Sequence, residues 1–347
     1  MTQSMNHIEP ITYSIIVATY NRLDELVELI DSLNYMDFDP TRFELIVVDD
    51  GSTDGTAEMI EQLDTPYALH LYRQQNQGPG AARNRGMAEA NGDYFLFIDS
   101  DCTVPKSYLN TIDTSVHANQ WDAFGGPDTC RPDFPPLLKA INYSMTSFLG
   151  TGGTRGSSKS VTKFYPRSYN MGIHRNVHEQ IGGMNDLRHG QDMDLSARIY
   201  EAGCSVGLIE DAYVFHKRRT DLRKFFRQIF NWGIARINLG KAHPELLKPI
   251  HLAPAVLIAG TLLTVVLALF LPQATILVYG LMLAALAIAL TATLQSYLRY
   301  REIRPALLSP VTLFLQVIAY GLGTLSGLIQ TTFGKTEAKG FTKKYYQ

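Results

Sequence analysis

Two long uncharged segments in the C-terminal part of the chain constrain its fold more than any other feature. Residues 249–298 and residues 305–334 contain no Asp, Glu, Lys or Arg. A helix needs about 20 apolar residues to cross a bilayer, and a buried core helix accounts for a run of about 12 residues but not for one of this length. The sequence therefore predicts a membrane protein with spans near 251–271, 274–294 and 307–330.

Basic residues next to these segments predict their orientation. Lys241 and Lys248 precede the first predicted span, and three arginines between residues 299 and 304 follow the second predicted span. By the positive-inside rule, the start of the first span and the end of the second span lie in the cytoplasm. These two spans therefore form a hairpin whose turn lies outside. A third full span, through Pro310 and several glycines, places the basic tail outside against that rule. Either the tail is exported nevertheless, or the third segment is re-entrant or lies in the interface.

The charge of the chain is divided unevenly. Residues 1–215 carry 15 Lys/Arg and 29 Asp/Glu, a net charge of −14, whereas residues 216–347 carry 16 and 4, a net charge of +12. An acidic front and a basic, apolar back argue against a general nucleic-acid binder and favour a soluble module joined to a membrane-facing one. The three cysteines have no paired spacing, so we expect reduced thiols.

The N-terminal part alternates apolar runs with helical stretches. The predicted strands are 13–18, 43–48, 68–73 and 94–98, and the predicted helices are 22–34, 54–63, 80–90 and 105–119. Such alternation is typical of a mainly parallel sheet with helices on both faces. In these sheets ligands bind beyond the carboxyl ends of the strands.

Polar clusters follow three of the predicted strands. They are Thr19-Tyr20-Asn21, Asp49-Asp50-Gly51-Ser52 and Asp99-Ser100-Asp101. Two carboxylates after one strand suit a divalent cation that binds together with phosphates. A solvated turn or helix cap is the alternative for so short a motif, but the position directly after a buried strand favours the cation. Acceptor groups in the second cluster suit a base or ribose, and the alternative there is a turn and helix cap.

A glycine-rich run, Gln77-Gly-Pro-Gly80, opens a predicted helix that carries Arg83. Backbone N–H groups at such a place meet anions. A plain helix start with a solvated arginine is the alternative.

These segments together resemble the family 2 glycosyltransferases, which have the GT-A fold. The resemblance covers roughly residues 12–238 and implies an α/β, Rossmann-like catalytic domain with a mainly parallel sheet, here followed by a C-terminal transmembrane helical region. Six motifs occur in the family's order: Ser14-Ile-Ile-Val-Ala-Thr-Tyr-Asn21, Val47-Val-Asp-Asp-Gly-Ser-Thr-Asp54, Asn76-Gln-Gly-Pro-Gly-Ala-Ala-Arg-Asn84, Phe97-Ile-Asp-Ser-Asp101, Gly182-Gly-Met-Asn185 and Gly190-Gln-Asp-Met-Asp-Leu195.

The resemblance implies a role for each matching residue. The residues expected to bind the nucleotide sugar are Thr19, Tyr20, Asn21, Asp50, Arg83 and Asp99. Among them Asp50 is expected to contact the base, typically uracil, and Asp99 to face the ribose and donor sugar. Asp101 is expected to hold a divalent metal, Mn²⁺ or Mg²⁺, on the diphosphate. His216 occupies a position where membrane-associated relatives often carry a metal-binding or diphosphate-binding histidine; a structural histidine is the alternative.

Asp192 matches the general base of the family, which deprotonates the acceptor hydroxyl. The family pattern places a Glu before this Asp, and here Gln191 replaces it. Loss of the neighbouring acid reduces like-charge repulsion, which affects the tuning of the base and not its role. Asp194, two residues on, is expected to be structural.

The acceptor side of the predicted site is less well marked. Gln228-Ile-Phe-Asn231-Trp232 resembles the Gln-x-x-Arg-Trp motif of processive polysaccharide synthases with Asn in place of Arg, and Arg236 is a possible substitute cation. An interfacial aromatic is the alternative for Trp232. The basic loop 154–175, with Arg155 and Lys163, suits a lipid-linked diphosphate or anionic headgroups. An amphipathic helix over 135–149 is expected to lie on the bilayer.

The sequence predicts an inverting glycosyltransferase that moves a sugar from a nucleotide diphosphate sugar to a membrane-bound, lipid-linked saccharide in surface polysaccharide synthesis. The alternatives are a polyprenyl-phosphate monosaccharide synthase, a processive synthase, or an inactive nucleotide-binding scaffold. We expect a multi-pass protein of a cell inner membrane, with its catalytic domain cytoplasmic and no nucleic-acid partner. The predicted regions are a tail (1–12), the GT-A domain (13–220), an interfacial helical segment (221–248), the transmembrane region (249–334) and a basic tail (335–347).

Overall fold

The structure, a computed structural model, describes residues 10–152, 163–187, 189–217 and 221–334. Strands in these ranges form a seven-stranded and a three-stranded sheet. They are β1 (Tyr13–Thr19), β2 (Phe43–Asp49), β3 (Ala68–Arg73), β4 (Tyr94–Ile98), β5 (Cys102–Thr103), β6 (Ala123–Gly125), β7 (Asp128–Thr129), β8 (Asn170–His174), β9 (Val206–Leu208) and β10 (Val214–His216).

The larger sheet has the order β3-β2-β1-β4-β8-β6-β9. Neighbouring strands from β3 to β4 run parallel, and β8 is antiparallel to both β4 and β6. Thr19 and Asp49 are partners in the register of β1 and β2, so the polar clusters after these strands leave the same edge side by side. The four predicted strands and the mainly parallel sheet are confirmed.

Helices cover both faces of the larger sheet and continue into the C-terminal region. They are α1 (Leu23–Asn34), α2 (Thr56–Ile60), α3 (Pro79–Glu89), α4 (Tyr108–Asn119), α5 (Pro136–Thr146), α6 (Phe148–Thr151), α7 (Arg175–Ile181), α8 (Gln191–Glu201), α9 (Leu222–Ala242), α10 (Pro249–Phe270), α11 (Thr275–Tyr300) and α12 (Ile303–Thr332).

The alternation of side chains along β1 explains the two cores of the domain. Ile15 and Val17 pack with α1 and α4 on one face, whereas Ile16 packs with α3, α7 and α8 on the other. Successive residues of a strand point to opposite faces, so a strand covered on both sides carries a continuous apolar run, as residues 15–18 of β1 do. The three cysteines are free thiols.

The smaller sheet has the order β5-β10-β7. Its central strand β10 pairs His216 with Cys102 of β5 and Val214 with Asp128 of β7. This sheet brings the residue after Asp101 beside His216, although the two lie more than a hundred positions apart in the sequence.

Three helices of the described residues are long and apolar enough to cross a membrane. The prediction of three such segments is confirmed. α12 runs through Pro310 and its glycines without a break. At Gly323 an added Cβ would collide with the carbonyl oxygen of Phe230 in α9, so this glycine permits close packing of two helices.

The helix predicted over 135–149 forms in part, as α5, but its apolar face does not lie on a bilayer. Ile141 and Met145 are buried in a cluster with Phe225 and Ile229 of α9 and Ala319 of α12. Phe148, which follows in α6, is 74% exposed. The sequence pattern identified the apolar face correctly, but α9 and α12 cover it.

Candidate active site

The loops after β1 and β2 are tied to each other at the carboxyl edge of the sheet. Asn21 N–H donates to Ser52 Oγ at 2.9 Å, and Thr53 N–H donates to Asn21 Oδ1 at 2.8 Å. Asn21 has a φ of +51°, a conformation in which asparagine is enriched among non-glycine residues. These contacts hold the segment Thr19-Tyr20-Asn21 beside the loop that carries Asp50.

Asp50 holds the glycine-rich run that begins α3. Its carboxylate accepts hydrogen bonds from the N–H groups of Gln77 (2.9 Å) and Gly78 (2.7 Å) and from Gln74 Nε2 (2.8 Å). Burial raises the pKa of Asp50, and the hydrogen bonds oppose the rise without cancelling it. The backbone donors just before α3 therefore bind Asp50, and binding of a ligand anion by this glycine-rich run stays a prediction. Contact between Asp50 and a nucleotide base stays a prediction.

Two ion pairs join the carboxylates after β4 to arginines from other elements. Arg83 Nη2, on α3, lies 2.5 Å from Asp99 Oδ1, and Arg83 is 8% exposed. Arg22 Nη1, in the loop after β1, lies 3.1 Å from Asp101 Oδ2. Residues of two sequence motifs, and one residue that directly follows a third motif, therefore meet at one edge of the sheet.

His216 lies between two carboxylates. Its Nε2 is 3.2 Å from Asp101 Oδ1, and its Nδ1 is 3.4 Å from Asp128 Oδ2. Burial by itself lowers the pKa of His216, but Asp101 and Asp128 outweigh burial and raise the pKa to about 9. The predicted proximity of Asp101 and His216 is thus present in the fold.

Asp101 and His216 fit a divalent metal by their chemistry. A carboxylate oxygen and an imidazole nitrogen face each other, and with the thiol of buried Cys102 they form a group whose ligand atoms all lie within 4.8 Å. Carboxylate oxygens suit Mn²⁺ or Mg²⁺, whereas imidazole and thiolate ligands suit softer metals such as Zn²⁺. Asp128, on the far nitrogen of the imidazole, resembles the second carboxylate that orients metal-binding histidines.

Asp192 lies in the first turn of α8, and the loop that precedes α8 is bonded to α3. The side chain of Asn84 bonds both the N–H and the carbonyl of Met184, at 2.7 and 2.8 Å. Gln191 packs so closely over Gly80 that a Cβ at Gly80 would collide with its amide. The Gln that replaces the family's Glu therefore covers the backbone at the start of α3, and Asp192 adjoins the helix that carries Arg83.

The neighbours of Asp192 are a cation and a structural acid. Arg167 Nη1 lies 3.7 Å from Asp192 Oδ2. Asp194 pairs with Arg198 Nε at 2.8 Å and with His243 Nε2 at 3.0 Å. As expected, Asp194 is structural, because its bonds link α8 to the end of α9.

The residues proposed for the acceptor side occupy different surroundings. Trp232 packs with the cluster of α5, α9 and α12, and Arg236 Nη1 donates to the carbonyl of Leu246 at 3.0 Å. Gln228 is half-buried on α9. Lys163 Nζ lies 3.5 Å from the ring centre of Tyr200, and Arg155 lies outside the described residues. Their roles stay predictions.

Sequence reasoning missed two residues of this site, Arg22 and Asp128, and placed Arg167 in the basic acceptor-side loop without predicting its contact with Asp192. Each is paired with a predicted residue that is distant in sequence or on another element. The local sequence carries no signal for Asp128, since its partner is set by strand pairing in the small sheet. Arg22 follows a recognised motif directly, and its position beside Asn21 was the available hint.

Comparison with known proteins supports the predicted family. The model for glycosyl transferase family 2 matches residues 14–182, and the model for glycosyl transferase family 21 matches residues 159–322. The chain is 27% identical over 237 residues to glycosyltransferase AglE of Haloferax volcanii, which covers 65% of this chain and 76% of AglE. It is 26% identical over 260 residues to the succinoglycan biosynthesis protein ExoA of Rhizobium meliloti, covering 73% of this chain and 78% of ExoA.

A solved structure has the same fold. Mannosyltransferase PcManGT from Pyrobaculum calidifontis, in complex with GDP-Man and Mn²⁺, matches with a TM-score of 0.59 and 21% identity over 90% of this chain and 88% of that chain. At this identity the likeness concerns the fold alone. The predicted GT-A fold is confirmed.

Proposed function

We propose that this chain, whose residues 14–182 belong to family 2 of the glycosyltransferases, moves one sugar from a nucleotide diphosphate sugar to a hydroxyl of a membrane-bound acceptor. The observation that carries the proposal is the convergence of Arg83–Asp99, Asp101–His216 and Asp192 on elements that pack against each other. A scaffold that merely binds a nucleotide has no need of this set. The resemblance favours a uracil nucleotide as the donor.

Asp192 is the general base of the proposed reaction. Its carboxylate takes the proton of the acceptor hydroxyl, the oxygen bonds to the anomeric carbon, and the bond from that carbon to the diphosphate breaks. One displacement of this kind inverts the anomeric configuration. A positioned base contributes about 10²–10⁴-fold to such a reaction. Arg167 lies 3.7 Å away and places a positive charge beside the base.

Asp101 and His216 are the residues that would hold a divalent metal, Mn²⁺ or Mg²⁺. When bound, such an ion neutralises charge that develops on the leaving diphosphate. Asp128 keeps the imidazole of His216 oriented by its contact with Nδ1. Arg22 and Arg83 add positive charge beside Asp101 and Asp99, which favours a nucleotide diphosphate at this edge of the sheet.

The acceptor is proposed to be a lipid-linked saccharide used for surface polysaccharide. Arg167 places a cation beside the base, and Arg236 bonds the segment that leads into α10. Cations between a base and apolar helices suit an acceptor that carries phosphate near a bilayer. ExoA, by its name a succinoglycan biosynthesis protein, agrees with this use. The catalytic domain is proposed to face the cytoplasm, as the basic residues that flank α10 and α11 indicate.

The test is release of nucleoside diphosphate by detergent-purified full-length protein from a panel of UDP-sugars and GDP-sugars. Each reaction is run with Mn²⁺, with Mg²⁺ or with EDTA, and with or without host lipid extract. We expect turnover with one donor that requires both metal and lipid. Turnover that requires a bare polyprenyl phosphate instead identifies a monosaccharide synthase, and nucleotide binding without turnover of any donor identifies a scaffold.

A further inference from the structure

α12 differs from the other two long apolar helices in how much of it the protein covers. In an apolar 18-residue stretch of α12, 44% of the residues are buried. The corresponding share is 6% in α10 and 0% in the segment Pro272–Tyr300, which contains α11. No residue of 259–291, the outer part of the α10–α11 hairpin, is buried. Helices that are apolar and uncovered all round suit lipid on every side, whereas α12 has a covered face and an open face.

The open face of α12 is a single apolar stripe. Its members, each 38–68% exposed, include Ile303, Leu307, Val311, Ile318, Leu322 and Ile329. They recur at intervals of four and seven residues, the spacing of one side of a helix. The opposite side buries Ser309, Thr312, Gln316 and Thr324. This is the pattern of a helix that separates protein from an apolar surface.

Helices attached to the catalytic domain cover the other side of α12. Thr312 Oγ1 donates to the carbonyl of Ala140 in α5 at 3.0 Å, and Gln316 Nε2 donates to the carbonyl of Gly150 at 2.8 Å. Further along, Gly323 meets the carbonyl of Phe230 in α9, and Gly327 meets Ile237. α12 is therefore packed onto the domain along most of its length.

The charge of α9 limits how deep α12 can lie. The part of α12 around residues 323–327 contacts residues 230–237 of α9, so the two helices share the same depth there. α9 carries Arg227, Arg236 and Lys241 over its length. Charged side chains inside the hydrocarbon are costly, so this pair of helices stays near the membrane surface.

α12 also crosses the base of the hairpin. Ser309 Oγ donates to Ser296 Oγ, near the end of α11, at 2.7 Å. Gly321 meets Pro254 and Ile258, in the first half of α10. A third span would follow the hairpin outward, but residues 259–291 are left without any buried position.

We propose that α10 and α11 cross the bilayer as a hairpin, while α12 lies along the cytoplasmic membrane surface with its apolar stripe in the lipid interface. The occupant of the stripe is the lipid bilayer, because the stripe is continuous with the base of the lipid-exposed hairpin. This arrangement puts the basic tail, residues 335–347, on the same side as the catalytic domain. It removes the conflict with the positive-inside rule that a third span creates.

Cysteine labelling tests the position of the tail. The parent protein carries Cys130→Ser and Cys204→Ser and keeps Cys102, which is fully buried. This parent protein serves as the unlabelled control. Gln273→Cys, in the hairpin turn, and Gln347→Cys are then treated with a membrane-impermeant maleimide in right-side-out and inverted vesicles. We expect Gln273→Cys to react in right-side-out vesicles and Gln347→Cys in inverted ones. Reaction of both in right-side-out vesicles would overturn the proposal.

Depth measurement tests the stripe itself. Spin labels at Val311→Cys and Leu322→Cys are about 17 Å apart along the helix, and a control pair, Leu257→Cys and Leu269→Cys, is separated by a similar distance on α10. Collision with oxygen and with an aqueous nickel reagent reports the depth of each label. We expect equal, shallow depths in α12 and clearly different depths in the control pair. A depth difference in α12 like that of α10, or labels in α12 that oxygen in the lipid does not reach, would contradict the proposal.

Discussion

Gly323 offers a direct test of how α12 is docked on α9. A Cβ at this position would fall well inside van der Waals contact of the Phe230 carbonyl oxygen and 3.1 Å from Phe230 Cα. Because the obstacle is backbone, a change of rotamer cannot relieve it and the two helices must separate. Overpacking of this kind costs about 1–3 kcal/mol, and we expect the upper end. Replacing glycine by alanine in a helix returns about 1 kcal/mol, so Gly323→Ala should destabilise the protein by about 2 kcal/mol.

The matched control is Gly280→Ala in α11, where nothing lies within 4 Å of the added methyl. With a shift of about 2–4 °C for each kcal/mol, thermal unfolding in detergent should show a melting temperature lowered by about 4–8 °C in Gly323→Ala. The control should be unchanged or slightly raised. Equal melting temperatures for the two variants would refute the close packing of α12 on α9.

Two further variants test contacts outside the helix pair. Asp128→Asn removes the charge on the far side of His216 and should weaken Mn²⁺ binding about 10–100-fold, read by electron paramagnetic resonance titration; unchanged binding would show that Asp128 does not orient the imidazole. His243 is 7% exposed; burial lowers its pKa, but two carboxylates outweigh burial and raise it. The stabilisation that protonated His243 gives is therefore fully present below the pKa of an unfolded histidine, about 6.5. It is lost as the pH rises through the higher pKa that His243 has in the folded protein. His243→Asn should lower the melting temperature most at pH 6 and less at alkaline pH, and a deficit independent of pH would show that His243 contributes by packing alone.

The sequence predicts the catalytic domain well because its signals are local. Ile15, Ile16 and Val17 identify a strand covered on both faces, and the acids after β2 and β4 leave the same sheet edge because parallel strands end together. These features need no knowledge of distant contacts. The fold class and the four strands therefore follow from apolar runs and from the polar clusters between them.

The contacts that complete the site depend on pairing between distant segments. Asp128 meets His216 through the small sheet, and no feature near either residue indicates the other. The glycines of α12 suggest an interrupted helix, but Gly323 permits contact with α9. Likewise, the sequence indicates only that Gln191 replaces an acid, whereas the structure shows that its amide packs over Gly80. In each case the structural role of the residue depends on a contact with a segment that is distant in the sequence.

Turnover of Asp192→Asn tests the central claim most directly. The variant keeps the shape of the side chain but cannot accept the acceptor's proton, and Asp194→Asn, which breaks a structural bond two residues away, controls for disturbance of α8. With the donor and lipid acceptor that support wild-type activity, we predict that kcat falls by about 10²–10⁴-fold in Asp192→Asn while nucleotide binding is retained. The loss in Asp194→Asn should be much smaller. Wild-type turnover in Asp192→Asn would contradict the assignment of the base and with it the proposed reaction.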